Sequence, residues 1–267
     1  MRADAVLVER GLAASRTLAQ RLIAAGSVWV NAGSGVRTVT RASERIPDDT
    51  AVGVNVADPA LRYVSRGGLK LEPALARLLS LGLSAAEIVA LDVGQSTGGF
   101  TDCLLQHGVQ RVVGVDVGHG QLHPSLAGDP RVRTFEGINA RALEATMLED
   151  SVPAEGFGLA TIDVSFIALD TVLAPVVALI RDGGWLVALV KPQFELGPTA
   201  RDRHGIVRDA TLYGPLLERI AAICAGLNCG VRETLESPLT GGAGGEDGNR
   251  EFLLIAQKRG RDDSSQL

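Results

Sequence analysis

Residues 91–101 read LDVGQSTGGFT, and the rest of the chain is organised around them. Val89, Leu91 and Val93 alternate as strand residues do, and Gly94, Gly98 and Gly99 then suit a tight turn into a helix beginning near Phe100. Glycine carries no side chain, so a ligand can approach backbone N–H groups closely there. Further on, Val112-Val113-Gly114-Val115 forms a second apolar run that ends in Asp116. A carboxylate at the end of the second strand can accept hydrogen bonds from both hydroxyls of a ribose. Together the two stretches predict a nucleotide-like cofactor on a Rossmann-type sheet. The spacing Asp92-x-Gly94-x3-Gly98-Gly99 is not the GxGxxG of dinucleotide enzymes. Nor is it a Walker loop, because no GK[ST] follows. It is the form expected where S-adenosylmethionine binds.

Outward from this stretch, strands are expected at 88–93, 111–116, 131–135 and 160–166, with a helix over about 100–107 and a long apolar helix over 168–181. Gly183-Gly184 then turns into the apolar strand 185–190, which ends in Lys191-Pro192. A helix of about 211–225 and a closing strand pair, at 231–235 and 252–256, complete the pattern. Strands apolar on both faces and alternating with helices imply an α/β fold with a mostly parallel sheet covered on both sides. Ligands of such sheets sit at the carboxyl ends of the strands. Asp92, Asp116, Asp163 and Lys191 all fall at or beside those ends.

The 267 residues are 46% hydrophobic and 4% aromatic, so the core is aliphatic. No apolar run is long enough to span a bilayer, and the start, MRADAVLVERG, lacks a signal-peptide core. A cytoplasmic protein is expected. Three cysteines without ligand spacing and four histidines without an HExxH predict buried thiols and no metal. Residues 1–70 carry a net charge of +4 and the remainder −9 of the total −5, which points the first segment at a polyanion. Only Lys70, Lys191 and Lys258 are lysines, against twenty-three arginines. A lysine kept at the end of an apolar strand invites a chemical role, since a desolvated lysine can give up its proton and arginine cannot.

Residues 3–12 and 15–25 read as two short helices, Ser15 as an N-cap and Gly26 as a stop, followed by a strand at 28–30. Arg10, Arg16 and Arg21 gather near one face, where they can meet phosphates. Met1–Asn31 resembles the alpha-L RNA-binding domain, through Arg2-x-Asp4, Ser15-Arg16-x-x-Ala19 and Ile23-x-x-Gly26-x-Val28-x-Val30-Asn31. That resemblance assigns residues 1–60 to a small α+β RNA-binding domain. Its candidate contacts are Arg2, Arg10, Arg16 and Arg21, with Arg66 added from the stretch that follows the linker at 58–65. Residues 61–258 are expected to hold the linker and the second, Rossmann-type domain, and 259–267 a disordered tail.

Methyl transfer to a hydroxyl needs a base, and a lysine can serve when a second positive charge stands beside it. The chain offers Lys191 as base, Lys70 as its cationic neighbour, and Asp163 and Glu251 as carboxylates that orient the lysines and hold the substrate hydroxyl. This Lys, Asp, Lys, Glu set resembles the tetrad of FtsJ-type RNA ribose 2'-O-methyltransferases. The whole chain is similar to the TlyA (hemolysin A) family. The match runs through Tyr63-Val64-Ser65-Arg66-Gly67-Gly68-x-Lys70, Asp92–Asp102, Val115–Gly118, Asp163–Ile167, Lys191–Glu195 and Gly248–Leu253. The resemblance implies S-adenosylmethionine as donor and cytidine riboses of ribosomal RNA, within ribosomal subunits, as substrate. It implies that Asp116, with Val117, holds the cofactor ribose. Asp92, Gly94, Ser96, Thr97, Gly98, Gly99 and Phe100 make the methionine side, and Asn139 lies near the adenine. Gln95 stands where that family has a small residue and is expected to narrow the cofactor turn. His119, Pro124 and Ser125 replace an aromatic and basic stretch, and the loop 241–248 is longer and more acidic than the family's. Two other classes stay open: an RNA-binding assembly factor with an idle methyltransferase fold, and a cytolysin. The sequence leaves the oligomeric state open.

Overall fold

A computed structural model of the chain describes residues 1–13, 15–31, 35–55, 62–241 and 248–260. It divides into two compact units, Met1–Arg66 and Gly67–Leu267. The expected tail falls mostly at 261–267, and most of the acidic loop falls at 242–247, both outside the described residues.

In the first unit, α1 (Ala3–Glu9) and α2 (Arg16–Ala24) precede β1 (Val28–Asn31), β2 (Val36–Thr38) and β3 (Ala51–Val54). β1 is the central strand, antiparallel to both neighbours. Ser15 caps α2 as expected, its hydroxyl accepting from Leu18 N at 3.2 Å. Val6, Leu7, Leu22 and Ile23 pack on Val28, Val30 and Ile46 to form a separate small core.

The second unit opens with α3 (Arg66–Ser80). The helix begins at Arg66, with Gly67 and Gly68 in its first turn. Its sheet holds β4 (Val89–Val93), β5 (Arg111–Asp116), β6 (Val132–Glu136), β7 (Phe157–Ile162), β8 (Ile180–Val190), β9 (Cys229–Glu236) and β10 (Phe252–Lys258). The spatial order is β6-β5-β4-β7-β8-β10-β9, and only β10 runs against the rest. α4 (Gly99–Gln106) and α5 (Pro124–Ala127) lie between β4 and β6, α6 (Leu173–Leu179) and α7 (Pro192–Glu195) flank β8, and α8 (Tyr213–Gly226) leads into β9.

Both faces of the sheet are covered. Leu91, Val93, Val113, Val115, Ala160, Ile162, Ala188 and Val190 share one core with α6 and α8. Their alternates Ala90, Val112, Leu159, Val187 and Leu189 are buried as well, as are Leu71, Leu75 and Leu78 of α3. β7 ends at Ile162, so Asp163–Phe166 form a loop where the strand was expected to continue. The expected helix over 168–181 is shorter, because Pro175 fits only within the first turn of a helix starting at Leu173. From Ile180 the backbone is already extended and pairs with Phe157. No helix among the described residues is long and apolar enough to cross a membrane.

The chain runs β4 to β5 to β6 in one direction, then crosses back to lay β7 and β8 on the other side of β4. Strand order therefore reverses between β4 and β7, the point at which open α/β sheets bind ligands.

Candidate active site

At that reversal point lies a cleft of about 470 Å³. Gly94 and Ser96 line it from the turn after β4, Asp116 and Val117 from the end of β5, Asn139 from beyond β6, and Asp163–Ile167 from the loop after β7. The turn is held in a special conformation. Gly94 has φ +84°, and a Cβ there would stand 2.4 Å from the Asp163 carbonyl oxygen, so only glycine lets the two loops touch. Ser96, at φ +48°, donates its N–H to Asp116 Oδ2 at 2.7 Å, and Gly118 N donates to Asp116 Oδ1 at 2.7 Å. Each oxygen keeps a second lone pair for a ligand hydroxyl.

Asp92 does not line this cleft. It is fully buried, with Thr101 Oγ1 donating to Oδ2 at 2.7 Å and Thr161 Oγ1 to Oδ1 at 2.9 Å. Burial pushes its carboxyl up to about 6, against the pull of the two threonine hydroxyls. The side chain is a hub under the turn. Thr97, Gly98, Gly99 and Phe100 also lie outside the cleft lining: Gly98, at φ +89°, caps α4, and Phe100 is buried.

Gln95 departs from its expected role too. It is buried, and its amide joins the hub, donating to Thr101 Oγ1 at 2.9 Å and accepting from Thr134 Oγ1 at 2.9 Å. It lies over Gly114, where a Cβ would come within 2.1 Å of it. The larger side chain fills space beneath the turn and does not narrow the cleft.

The four charged candidates come together as two ion pairs at the end of the sheet where this cleft opens. Ile162 pairs with Ala188 and Val190 with Phe252, so Asp163, Lys191 and Glu251 each stand just beyond the last paired residues of β7, β8 and β10. Lys191 Nζ lies 2.5 Å from Asp163 Oδ1 and donates to Val164 O at 2.9 Å and Ser165 Oγ at 3.1 Å. Two hydrogen bonds and one close carboxylate thus surround the ammonium, with Asp163 Oδ1 in ion-pair contact and without a hydrogen bond among the described residues. Lys70 Nζ lies 2.5 Å from Glu251 Oε2, and both residues are buried. Residues the sequence reading missed are Gln121, whose Oε1 accepts from Ser96 Oγ at 3.2 Å, and Gln193, whose Nε2 donates to Glu251 Oε1 at 3.2 Å. Gln193 stands two residues past Lys191, which was a usable signal; Gln121 had none.

In the first unit, Arg2 makes a two-pronged contact with buried Asp4, at 3.0 and 3.1 Å, and Arg16 lies 3.8 Å from the same carboxylate. Arg2 holds the Asp4 carboxyl well below the usual carboxylate range. Arg2 and Arg16 keep about half of each side chain exposed, 49% and 62%. Arg10 is committed to the chain itself, donating to Thr50 O at 2.6 Å and Asp48 O at 2.7 Å. Arg21 lies in the last turn of α2, and Arg66 opens α3.

No group of His, Cys, Asp and Glu among the described residues is arranged to hold a metal ion.

Comparison with known proteins agrees with this geometry. Residues 63–258 match the FtsJ-like methyltransferase family, and residues 1–32 match the S4 domain. The chain is 40% identical over 253 residues to the 16S/23S rRNA (cytidine-2'-O)-methyltransferase TlyA of Mycobacterium tuberculosis, covering 95% of this chain and 88% of that one. It is 36% identical over 258 residues to hemolysin A of Brachyspira hyodysenteriae, covering 95% and 100%. A solved structure of a hemolysin-named protein from Streptococcus thermophilus superposes with a TM-score of 0.70 at 40% identity, covering 97% and 88%. Fold, glycine turn and paired charges thus lead to one assignment: the chain belongs to the FtsJ-like methyltransferase family, in the branch that carries an S4 domain at the amino terminus.

Proposed function

We propose that this protein transfers a methyl group from S-adenosylmethionine to the 2'-hydroxyl of a ribose in ribosomal RNA, with cytidine as the modified nucleotide. The observation that carries the reading is the pair of lysine–carboxylate contacts beside the cleft at the strand reversal. The cleft's donor set suits the cofactor. Asp116 offers paired carboxylate oxygens to a ribose diol, and Val117, Ile138 and Asn139 offer apolar and amide contacts to a base. Ser96 and the backbone of the turn face the amino-acid end. When bound, the cofactor supplies a methyl group on a positively charged sulfur.

The chain's own residues handle the proton. As a neutral amine, Lys191 has two N–H groups and one lone pair. It would take the proton of the ribose 2'-hydroxyl as the oxygen–methyl bond forms and the methyl–sulfur bond breaks, leaving a neutral thioether, and so become an ammonium. Val164 O and Ser165 Oγ then accept from that ammonium, and Asp163 stands against its new charge. A site arranged for the charge that develops during reaction lowers the barrier rather than merely binding the substrate. Lys70, fixed by Glu251, adds a second positive charge on the same rim. The S4 segment brings the chain to the RNA through phosphates, with Arg2 and Arg16 its exposed cations.

Incubation with ribosomal subunits and tritium-labelled cofactor tests the reading. Label is expected in ribosomal RNA and resistant to alkali at one ribose. Lys191→Ala is expected to lose the transfer while cofactor affinity stays within about twofold, since the lysine is not among the cleft-lining residues. Unlabelled RNA with the intact protein would refute the function, and loss of cofactor binding in the variant would make Lys191 structural.

A further inference from the structure

Of the four paired charges, Glu251 is the most enclosed, at 2% exposure, and both its oxygens are occupied. Oε2 faces Lys70 and Oε1 faces Gln193 Nε2. The backbone closes over the same oxygen: a Cβ on Gly241 would stand 2.1 Å from Oε1 and 3.1 Å from Gln193 Nε2. Burial and these two partners turn Glu251 inward, toward Lys70 and Gln193.

Gln193 is itself 7% exposed, and its Oε1 is buried with no hydrogen-bond partner among the described residues. A buried amide oxygen left unpaired is costly, and an unbranched apolar side chain of similar length would avoid that cost. What glutamine supplies in return is the N–H on Glu251. Reversing the amide would set its oxygen against a carboxylate, so the charge fixes which way it points.

We infer that Gln193 is a positioning residue for the methyl transfer proposed above: its amide fixes Glu251, and through Glu251 the ammonium of Lys70. Because Gln193 lies two residues beyond Lys191, in α7, one short segment registers both lysines. The inference rests on the proposed function for its kinetic part and on geometry alone for the state of Lys70.

The test uses the full chain with Gln193→Met and Gln193→Glu. The first readout needs no cofactor. The three lysines are acetylated with acetic anhydride, and each is quantified by mass spectrometry. In Gln193→Met, Lys70 is expected to label several-fold faster relative to Lys258, whose ammonium is held by Val177 O and Ile180 O. The second readout is single-turnover transfer to ribosomal subunits across pH. Gln193→Met is expected to lose about tenfold in rate with the cofactor KM within twofold, as misplacing a catalytic group does. Gln193→Glu separates positioning from packing. Protonated, its carboxyl can donate the same bond to Glu251; ionised, it repels it. Its rate is therefore expected to approach the intact protein's at the acid end and to fall away as pH rises. Unchanged Lys70 labelling in Gln193→Met would overturn the inference, as would the same fractional loss at every pH in Gln193→Glu. An intact protein that methylates no RNA would refute the proposed function and leave the labelling comparison to decide the role of Gln193.

Discussion

Replacing Asp92 by asparagine is expected to make the second unit more stable at neutral pH, although it changes a carboxylate held by two hydrogen bonds. Burial raises this group to about 6, against 3.8 for an aspartate in water. The folded state therefore binds the proton more tightly than the unfolded state does. Stability linked to it is complete below pH 3.8 and is lost as pH rises through 6. The difference of about 2.2, at 1.36 kcal/mol per pH unit, amounts to about 3 kcal/mol at neutral pH. Asparagine carries no charge and escapes that loss. Its NH2 can face Thr161, whose hydroxyl has a second acceptor in Leu91 O at 3.4 Å, while its oxygen keeps the bond from Thr101. Urea unfolding followed by Trp185 fluorescence in a Trp29→Phe background reads this unit alone, because one tryptophan lies in each. The stability of Asp92→Asn minus that of the parent should climb by about 2.4 kcal/mol from pH 4 to pH 7, most of it between 4 and 6. A difference that is flat or falls with pH refutes the reasoning, and would mean that the threonine hydroxyls offset burial completely.

Other substitutions probe the cleft. Asp116→Ala removes the carboxylate proposed for the ribose and frees the Ser96 and Gly118 N–H groups; calorimetry should show cofactor affinity weaker by roughly a hundredfold, as expected for losing two charge-assisted hydrogen bonds. Gly94→Ala forces a side chain onto the Asp163 carbonyl at a left-handed φ, and should cost on the order of 2–4 kcal/mol in urea unfolding while slowing transfer through displaced Asp163. Gly114→Ala collides with the Gln95 amide, and Gly114→Ala combined with Gln95→Ala should recover at least half of the stability the single change loses.

How much of this could be read from residues alone depended on the range of the interaction. Strand ends were legible because long apolar runs stop at Asp116 and Lys191, and that single pattern placed the cleft residues Gly94, Ser96 and Asp116. The bond between Lys70 and Glu251 spans 181 positions, and nothing in its spacing announces it; the resemblance to a family brought the two side by side. Asp92 misled because a carboxylate before a glycine turn looks like a ligand contact. The threonines that occupy it, at 101 and 161, come from α4 and β7 and carry no local signature. Gln95 misled in the same way, since the space that admits it is made by Gly114 on the neighbouring strand.

The reversed strand β10 has a consequence for the timing of biosynthesis. A polypeptide halted between residues 168 and 250 already holds the strands and loops that shape the cleft, but it has no counter-charge for Lys70. On a translating ribosome the amino-terminal unit can fold early, and the cleft can form from β4, β5 and β7 while synthesis continues. The partner that fixes the Lys70 ammonium arrives only once β10 has begun, after every strand that shapes the cleft. Under the proposed function, a chain stopped short of β10 therefore has a cleft for the cofactor before it has a fixed Lys70.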